Sequence, residues 1–254
     1  ITFGVTQELF EEYDIYLYAP VIIAAMEHTE DCSGQEGDAL LFGWTGVSPS
    51  VTTTSTGNVT FILYVSYYTD AAQEQALTNA VNSAMSSLSL NGKSDYEKVK
   101  AIYTYICDRV NYDYDNLNDD SYILKYSAYA AMVNKKAVCQ GYAVLFYRMC
   151  KEAGIPVRII SGYGNAEAHA WNIVKVGNYY YNVDCTWDGQ DVETTYNYFL
   201  IGDSDFRMNH TPDDEYDTTS FKQTYIISSE SYDANSDLAE GAAKVNYNYT
   251  YTTV

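Results

Sequence analysis

Basic residues are scarce: 14 Lys and Arg face 34 Asp and Glu over 254 residues, a formal net charge of −20. A surface of that sign repels phosphate backbones and anionic headgroups, which argues against nucleic acid and membrane surfaces as partners. Long apolar runs are missing too. None approaches the roughly 20 residues of a membrane helix, so no membrane insertion is expected. Only three histidines occur, His28, His169 and His210, and they are scattered. A metal-binding domain is therefore a weak reading, and neither metal nor cofactor is expected. The five cysteines never reach C-x-x-C spacing; the nearest pair, Cys139 and Cys150, is 11 residues apart. That removes zinc knuckles and dithiol redox centres, and an odd count leaves at least one thiol unpaired within the chain. The chain opens on Ile1 rather than Met. It reads as a trimmed or mature chain from which any signal peptide has been removed.

What is abundant is tyrosine, with 28 residues. Tyr, Thr, Ser and Asn take surface that Lys and Arg usually occupy. This is the composition of an acidic, secreted or cell-surface protein, long enough to bury a sizeable core. Oligomeric state is not legible.

Residues 1–91 form an N-terminal α+β region of unresolved role. Leu9, Phe10 and Tyr13 have helical spacing before Pro20 interrupts. Val59, Phe61, Leu63, Val65 and Tyr67 alternate on one face of a strand. The turn Thr56-Gly57-Asn58 makes that strand a hairpin with the segment before it. Asp70 and Gln73, then Ser94 and Glu97, have the spacing of capping boxes that open helices. Leu90-Asn91-Gly92 marks the boundary of a core spanning 92–228, and 229–254 is a polar tail. Residues 113–120 resemble part of a calcium loop but lack its central Gly and its twelfth-position glutamate, so a solvated loop is the better reading. Within the core, Tyr142, Leu145, Phe146 and Met149 predict a helix from Cys139 to Gly154-Ile155-Pro156. Strands are expected over 157–162, 168–176, 179–185, 196–201 and 221–228.

Cys139 falls at the first turn of that helix, where free amides and the dipole favour an anion such as a thiolate. Gly177-Asn178 is a two-residue hairpin turn that sets Asp184 across from Trp171. His169, two residues from Trp171, then shares the face of Asp184 as its diagonal neighbour, within reach of a His–carboxylate contact. A one-residue slip would separate them. Each residue has a plainer role when taken singly: a buried thiol, a strand histidine, a cap. Together they have the geometry of a Cys-His-Asp triad. Cys107, Cys150 and Cys185 read as core, and Cys32, in an acidic loop, as accessible.

Three segments carry a resemblance: Ala137-Val138-Cys139-Gln140-Gly141-Tyr142-Ala143, His169-Ala170-Trp171-Asn172, and Tyr181-Asn182-Val183-Asp184-Cys185-Thr186-Trp187-Asp188. In this order they resemble the transglutaminase-like superfamily of bacterial proteins, over about residues 94–212. The resemblance implies a papain-like α+β core, with the cysteine helix packed on an antiparallel sheet. It also implies Cys139 as nucleophile, His169 as general base and acid, and Asp184 as its orienter. Papain has an oxyanion glutamine six residues before its cysteine; Val133 stands there in this chain. One oxyanion donor is expected from the Cys139 amide. Tyr126 or Tyr129 could supply a phenol, although both also read as core aromatics. Gln140 is expected to turn away, and Trp171 and Trp187 to pack, with one of them as a possible cleft wall. The implied activity is cysteine-dependent attack on a peptide or glutamine amide of a protein or peptide substrate. Hydrolysis is slightly preferred to transfer onto an amine, and a non-enzymatic surface or adhesion module is the alternative.

Overall fold

Local signals account for most helices of the computed structural model, which describes residues 2–13, 18–56, 58–190 and 194–234. The expected turn residue Gly57 and most of the polar tail lie outside the described residues. Strands β1 (Thr2–Thr6), β2 (Trp44–Thr53) and β3 (Asn58–Tyr67) form an antiparallel sheet in the order β1-β3-β2. The alternation read from 59–67 is realised: Val59, Phe61 and Leu63 are buried with Ile22 and Met26. Helices α1 (Gln7–Tyr13), α2 (Tyr18–Ala25) and α3 (Asp38–Leu41) complete this region. Pro20 does not interrupt a helix, as the sequence suggested. It sits in the first turn of α2, where an N–H has no intrahelical acceptor to lose.

Both capping boxes form. Asp70 opens α4 (Ala71–Leu88) and Ser94 opens α5 (Asp95–Cys107), each exchanging hydrogen bonds with the residue three positions on. After α5, the two-residue strand β4 (Asn111–Tyr112) runs parallel to β5 (Lys136–Ala137). The acidic loop between them gathers three backbone carbonyls, those of Asn116, Leu117 and Asp119, around a cation. That cation is the fully buried Lys125 ammonium, donating at 2.7, 3.0 and 2.9 Å.

Helix α6 (Cys139–Glu152) lies on the sheet formed by β6 (Val157–Gly164), β7 (Glu167–Val176), β8 (Tyr179–Val183) and β9 (His210–Pro212), ordered β8-β7-β6-β9 and antiparallel. The fold is α+β. Its main core joins Tyr142, Leu145, Phe146 and Met149 of α6 to Ile159, Val174 and Val183 of the sheet. At about 1.5–3 kcal/mol per fully buried apolar side chain, this packing fixes the start of α6 against the sheet.

Two expected strands are corrected. Residues 196–201 form turns, with Tyr196 and Leu200 at positive φ (59° and 55°), and join the sheet's backbone pairing through an Asn182–Ile201 bridge. The reason is Asp188, whose buried carboxylate takes the N–H groups of Asn197 and Tyr198 that a ladder would have used. Residues 221–228 begin in helix α9 (Thr219–Thr224), capped by Thr218. Only the end of that segment is extended, bridging Tyr180 through Ile227. Helices α7 (Cys185–Asp188) and α8 (Asp203–Phe206) are single turns.

Candidate active site

The turn at 177–178 sets the expected register: Val176 pairs with Tyr179, and Asn172 with Val183. Asp184 follows β8 directly and caps α7. Its Oδ1 accepts the N–H groups of Thr186 at 2.8 Å and Trp187 at 3.3 Å. With that oxygen anchored, Oδ2 faces imidazoles. His169 Nε2 lies 2.7 Å away. This leaves Nδ1 of His169 turned away from Asp184, and the ring stands near enough to Cys139 for the thiol to add to its raised pKa. The three residues read from the sequence are therefore brought together.

Cys139 is half-buried at the first position of α6, with Val138 as N-cap. Burial opposes charge on His169. The Asp184 carboxylate and its hydrogen bond, helped by Cys139, overcome that opposition and push the imidazole up to about 10. Asp184 is 1% exposed, and burial alone would favour its neutral form. The charge and hydrogen bond of His169, and then of His210, instead hold it well below the usual carboxylate range. Asp188 braces this arrangement. The Tyr103 hydroxyl lies 2.6 Å from Asp188 Oδ2 and 2.9 Å from the Asp184 carbonyl, while Thr195 donates to Asp188 Oδ1 at 2.7 Å.

His210 is the residue that sequence reasoning missed. It arrives on β9 with its Nε2 3.3 Å from Asp184 Oδ2 and its Nδ1 2.7 Å from Asn209 Oδ1. Phe206 stacks on the ring at 3.9 Å. Ligand atoms of His169, Asp184 and His210 lie within 4.8 Å of one another, the one such His/Cys/Asp/Glu group among the described residues. Both imidazole nitrogens that face Asp184 already share its Oδ2, so the group reads as a hydrogen-bond network.

The remaining candidates separate clearly. Gln140 turns away, donating from Nε2 to the Phe42 carbonyl at 2.7 Å. Trp171 is buried behind His169 and donates to Asn182 Oδ1 at 3.3 Å. Trp187, half-exposed with its ring 5.5 Å from that of His169, is the wall of a cleft of about 270 Å³. Tyr129 packs against the core. Tyr126 is close enough to Cys139 for burial, Asp120 and the thiol together to raise its pKa. Tyr112 was missed. It lies on β4, opposite Ala137, and burial followed by Cys139 raises its pKa. The parallel pairing of β4 with the strand leading into Cys139 brings it there.

Residues 82–185 match the family model of the transglutaminase-like superfamily. Over that segment the chain is transglutaminase-like. Kyphoscoliosis peptidase of Mus musculus is 30% identical over 167 residues, covering 57% of this chain, and the Homo sapiens protein of that name is 29% identical over 166. The chain spans a quarter of the length of these relatives. Among solved structures, one described as a TGase shares 19% identity at a TM-score of 0.42, covering 63% of this chain and 49% of its own. The periplasmic domain of TgpA from Pseudomonas aeruginosa shares 14% at 0.34, covering 57% and 65%. Among the described residues, no helix is long and apolar enough to cross a membrane.

Proposed function

We propose that the transglutaminase-like core is a cysteine-dependent acyl enzyme acting on a peptide bond or a glutamine side-chain amide. One observation carries this reading: the His169 imidazole meets Asp184 Oδ2 at 2.7 Å while standing near enough to Cys139, at the first position of α6, for the thiol to help raise its pKa. Cys139 Sγ gives its proton to His169 and attacks the amide carbonyl carbon. The C–N bond breaks as His169 returns the proton to the leaving nitrogen, and a thioester remains. His169 then takes a proton from the acceptor, whose oxygen or nitrogen displaces Cys139. Asp184 holds the imidazole tautomer and offsets its positive charge. The Cys139 N–H, at the first position of α6, has no intrahelical acceptor and supplies a donor for the oxyanion. The Tyr112 and Tyr126 phenols are candidates for a further donor.

Water is the preferred acceptor. The cleft beside His169 includes the polar side chains of Asn165, Glu167, Thr186 and Gln190, whereas transfer to lysine needs a channel that excludes water. Support for proteolysis also comes from a relative named as a peptidase. Amine transfer remains the second reading, because Glu167 at this cleft would attract an ammonium. The Tyr-rich acidic composition supports a secreted or cell-surface location. The test is incubation with a glutamine-containing protein and a labelled primary amine, read by mass spectrometry. Cleaved peptide or free glutamate without incorporation is expected. Amine incorporated at glutamine would reverse the preference, and no reaction beyond that of a Cys139→Ala control would support a non-enzymatic surface module.

A further inference from the structure

The cleft beside His169 is built for one sign of charge. Its walls join Tyr112 and Tyr114, from β4 and the loop after it, to Glu167 of β7 and to Trp187 and Gln190, from α7 and the turn after it. Among the described residues no lysine or arginine lines it, and Glu167 is its one carboxylate. The position of Glu167 follows from the chain. Gly164 pairs with Glu167 across the two-residue turn Asn165-Ala166, both of whose residues are left-handed (φ 48° and 69°). Glu167 and His169 are two residues apart on β7. Their side chains therefore leave the same face of the sheet, from Cα atoms about 6–7 Å apart.

This carboxylate is uncommitted. Glu167 is exposed, and no cation pairs with it among the described residues. Its neighbours in the same walls are taken: Asp113, between the two tyrosines, meets Lys136 at 3.4 Å, and Asp188, next to Trp187, accepts from Tyr103 and Thr195. The charge on His169 is met by Asp184. Aromatic faces share the cleft with Glu167. The Tyr112 and Tyr114 rings lie 4.9 Å apart, tilted by 55°. The Tyr114 hydroxyl donates to Gln190 Oε1, which joins two of the walls. Burial, then Cys139, Tyr114 and Glu167, raise the Tyr112 phenol, so the candidate nucleophile and this carboxylate both act on one ring. Aromatic faces beside a carboxylate attract a cation, whereas an anion meets repulsion from Glu167 and from a chain of net charge −20. At about 270 Å³ the cleft is below the range of pockets for whole drug-sized ligands and suits a single side chain.

Resting on the acyl-enzyme reading above, we propose that this cleft binds a lysine or arginine side chain of the substrate, flanking the amide that Cys139 attacks. The alkyl stem lies along the tyrosine rings and the cationic head meets Glu167. Glu167 is then a specificity-determining residue, placed by the same strand that carries the general base.

Epoxysuccinyl peptides test this without a known substrate, because they extend on either side of the carbon that the thiol attacks. Probes carry lysine, norleucine or glutamate at each of the two residues on either side. Their rates of Cys139 alkylation are read by mass spectrometry and divided by the iodoacetamide rate of the same protein. At one position lysine should exceed norleucine by about 5-fold, and glutamate should be slowest. Glu167→Gln should bring lysine and norleucine within about 2-fold of each other. Tyr114→Leu should weaken the lysine preference by about 2-fold. Glu8→Gln, the same charge change at an exposed position on α1, should leave the preference intact. An equal loss in Glu8→Gln would reduce the preference to the overall field of the chain and overturn the subsite. Equal rates for lysine and norleucine at every position would overturn it too, as would a lysine preference that survives Glu167→Gln. Alkylation involves no acceptor, so a Glu167 effect confined to amine incorporation, with equal alkylation rates, would give the cleft to the acceptor and overturn the proposal. Iodoacetamide labelling of Cys139 no faster than that of Cys32 would overturn the acyl-enzyme reading itself, a different failure.

Discussion

Two parts of the molecule bring a cysteine, a histidine and an aspartate together, and they differ in what the aspartate does. At the core site, Asp184 Oδ2 is 2.7 Å from His169. In the N-terminal region, Cys32 Sγ lies 3.8 Å from His28 Nδ1, and Asp38 Oδ2 also stands 3.8 Å from that nitrogen, beyond hydrogen-bond range. The Asp38 carboxylate is committed elsewhere: to Arg158 Nε at 2.8 Å, to Arg158 Nη2 at 3.0 Å and to the Ile159 N–H at 2.8 Å. The consequences are opposite. Burial lowers His28 to about 4; Asp38 opposes this, and Arg158 and Lys151 add smaller pushes downward. Burial also opposes charge on His169, yet Asp184 and Cys139 raise it to about 10. Cys32 meets a neutral imidazole and the Tyr147 hydroxyl, at 3.2 Å. The same three residue types thus make a candidate nucleophile in one place and a docking joint in the other. What differs is where the carboxylate is turned, to the imidazole at 2.7 Å in one place and to an arginine at 2.8 Å in the other.

The largest effect expected from breaking this contrast is on activity. Cys139→Ala should abolish amide cleavage or transfer, by at least about 10⁴-fold in kcat/KM, because no other group forms the thioester. Cys32→Ala should stay within about 2-fold. Equal losses in the two variants would dissolve the distinction.

Asp184→Asn should lower kcat/KM by about 10²-fold, since an amide can hold the wrong imidazole tautomer. His210→Phe keeps an aromatic ring beside Phe206 but removes the Nε2–H that meets Asp184. A loss of about 3–10-fold is expected there, with kcat changed more than KM, which a purely structural role would not produce.

Arg158→Met should destabilise the chain by about 3–5 kcal/mol in chemical denaturation, because it leaves the buried Asp38 carboxylate without its cation. In the fraction that folds, Asp38 is free to turn to His28. The His28 titration, followed by NMR, should then move upward from about 4. An unchanged His28 would mean that burial alone, and not Arg158, governs that histidine.

The smallest effect is a pair of opposite slopes in stability against pH. His28 has a folded pKa below its ordinary 6.5, so the unfolded chain binds more protons between about 4 and 6.5. Its contribution therefore falls as pH drops through that window. His169 has a raised pKa, so its contribution is complete below 6.5 and is lost as pH climbs towards about 10. His28→Gln should flatten the acid side of a denaturation profile, and His169→Gln the alkaline side. Exchanged effects would reverse the assignment.

Much of the core site was legible because its determinants are local. A two-residue turn admits one register, so the facing of His169 and Asp184 followed from Gly177-Asn178. Capping boxes and the stripe Tyr142-Leu145-Phe146-Met149 located the helices. Contributions from distant chain were not legible. His210 comes from an edge strand of three residues that carries no periodicity. Tyr112 reaches Cys139 only through a two-residue parallel pairing. The strand reading of 196–201 failed because a side chain, Asp188, took the backbone donors that a sheet would have used. The acidic loop resembled a cation site for a physical reason: it does surround a cation, supplied by Lys125 in the same chain. The second Cys-His-Asp group was invisible because Arg158, which disarms it, lies 120 residues beyond Asp38.

The account rests on Cys139 having a histidine whose charge a carboxylate sustains, whereas the histidine beside Cys32 stays neutral. Limited alkylation with iodoacetamide near neutral pH, followed by mass spectrometry of each cysteine peptide, tests this directly. Cys107, Cys150 and Cys185 are buried and should label only on unfolding. Cys139 should label at least about 10-fold faster than the half-buried Cys32, with that lead lost in His169→Ala. Labelling of Cys32 at an equal or greater rate, or a lead of Cys139 that survives His169→Ala, would contradict the account.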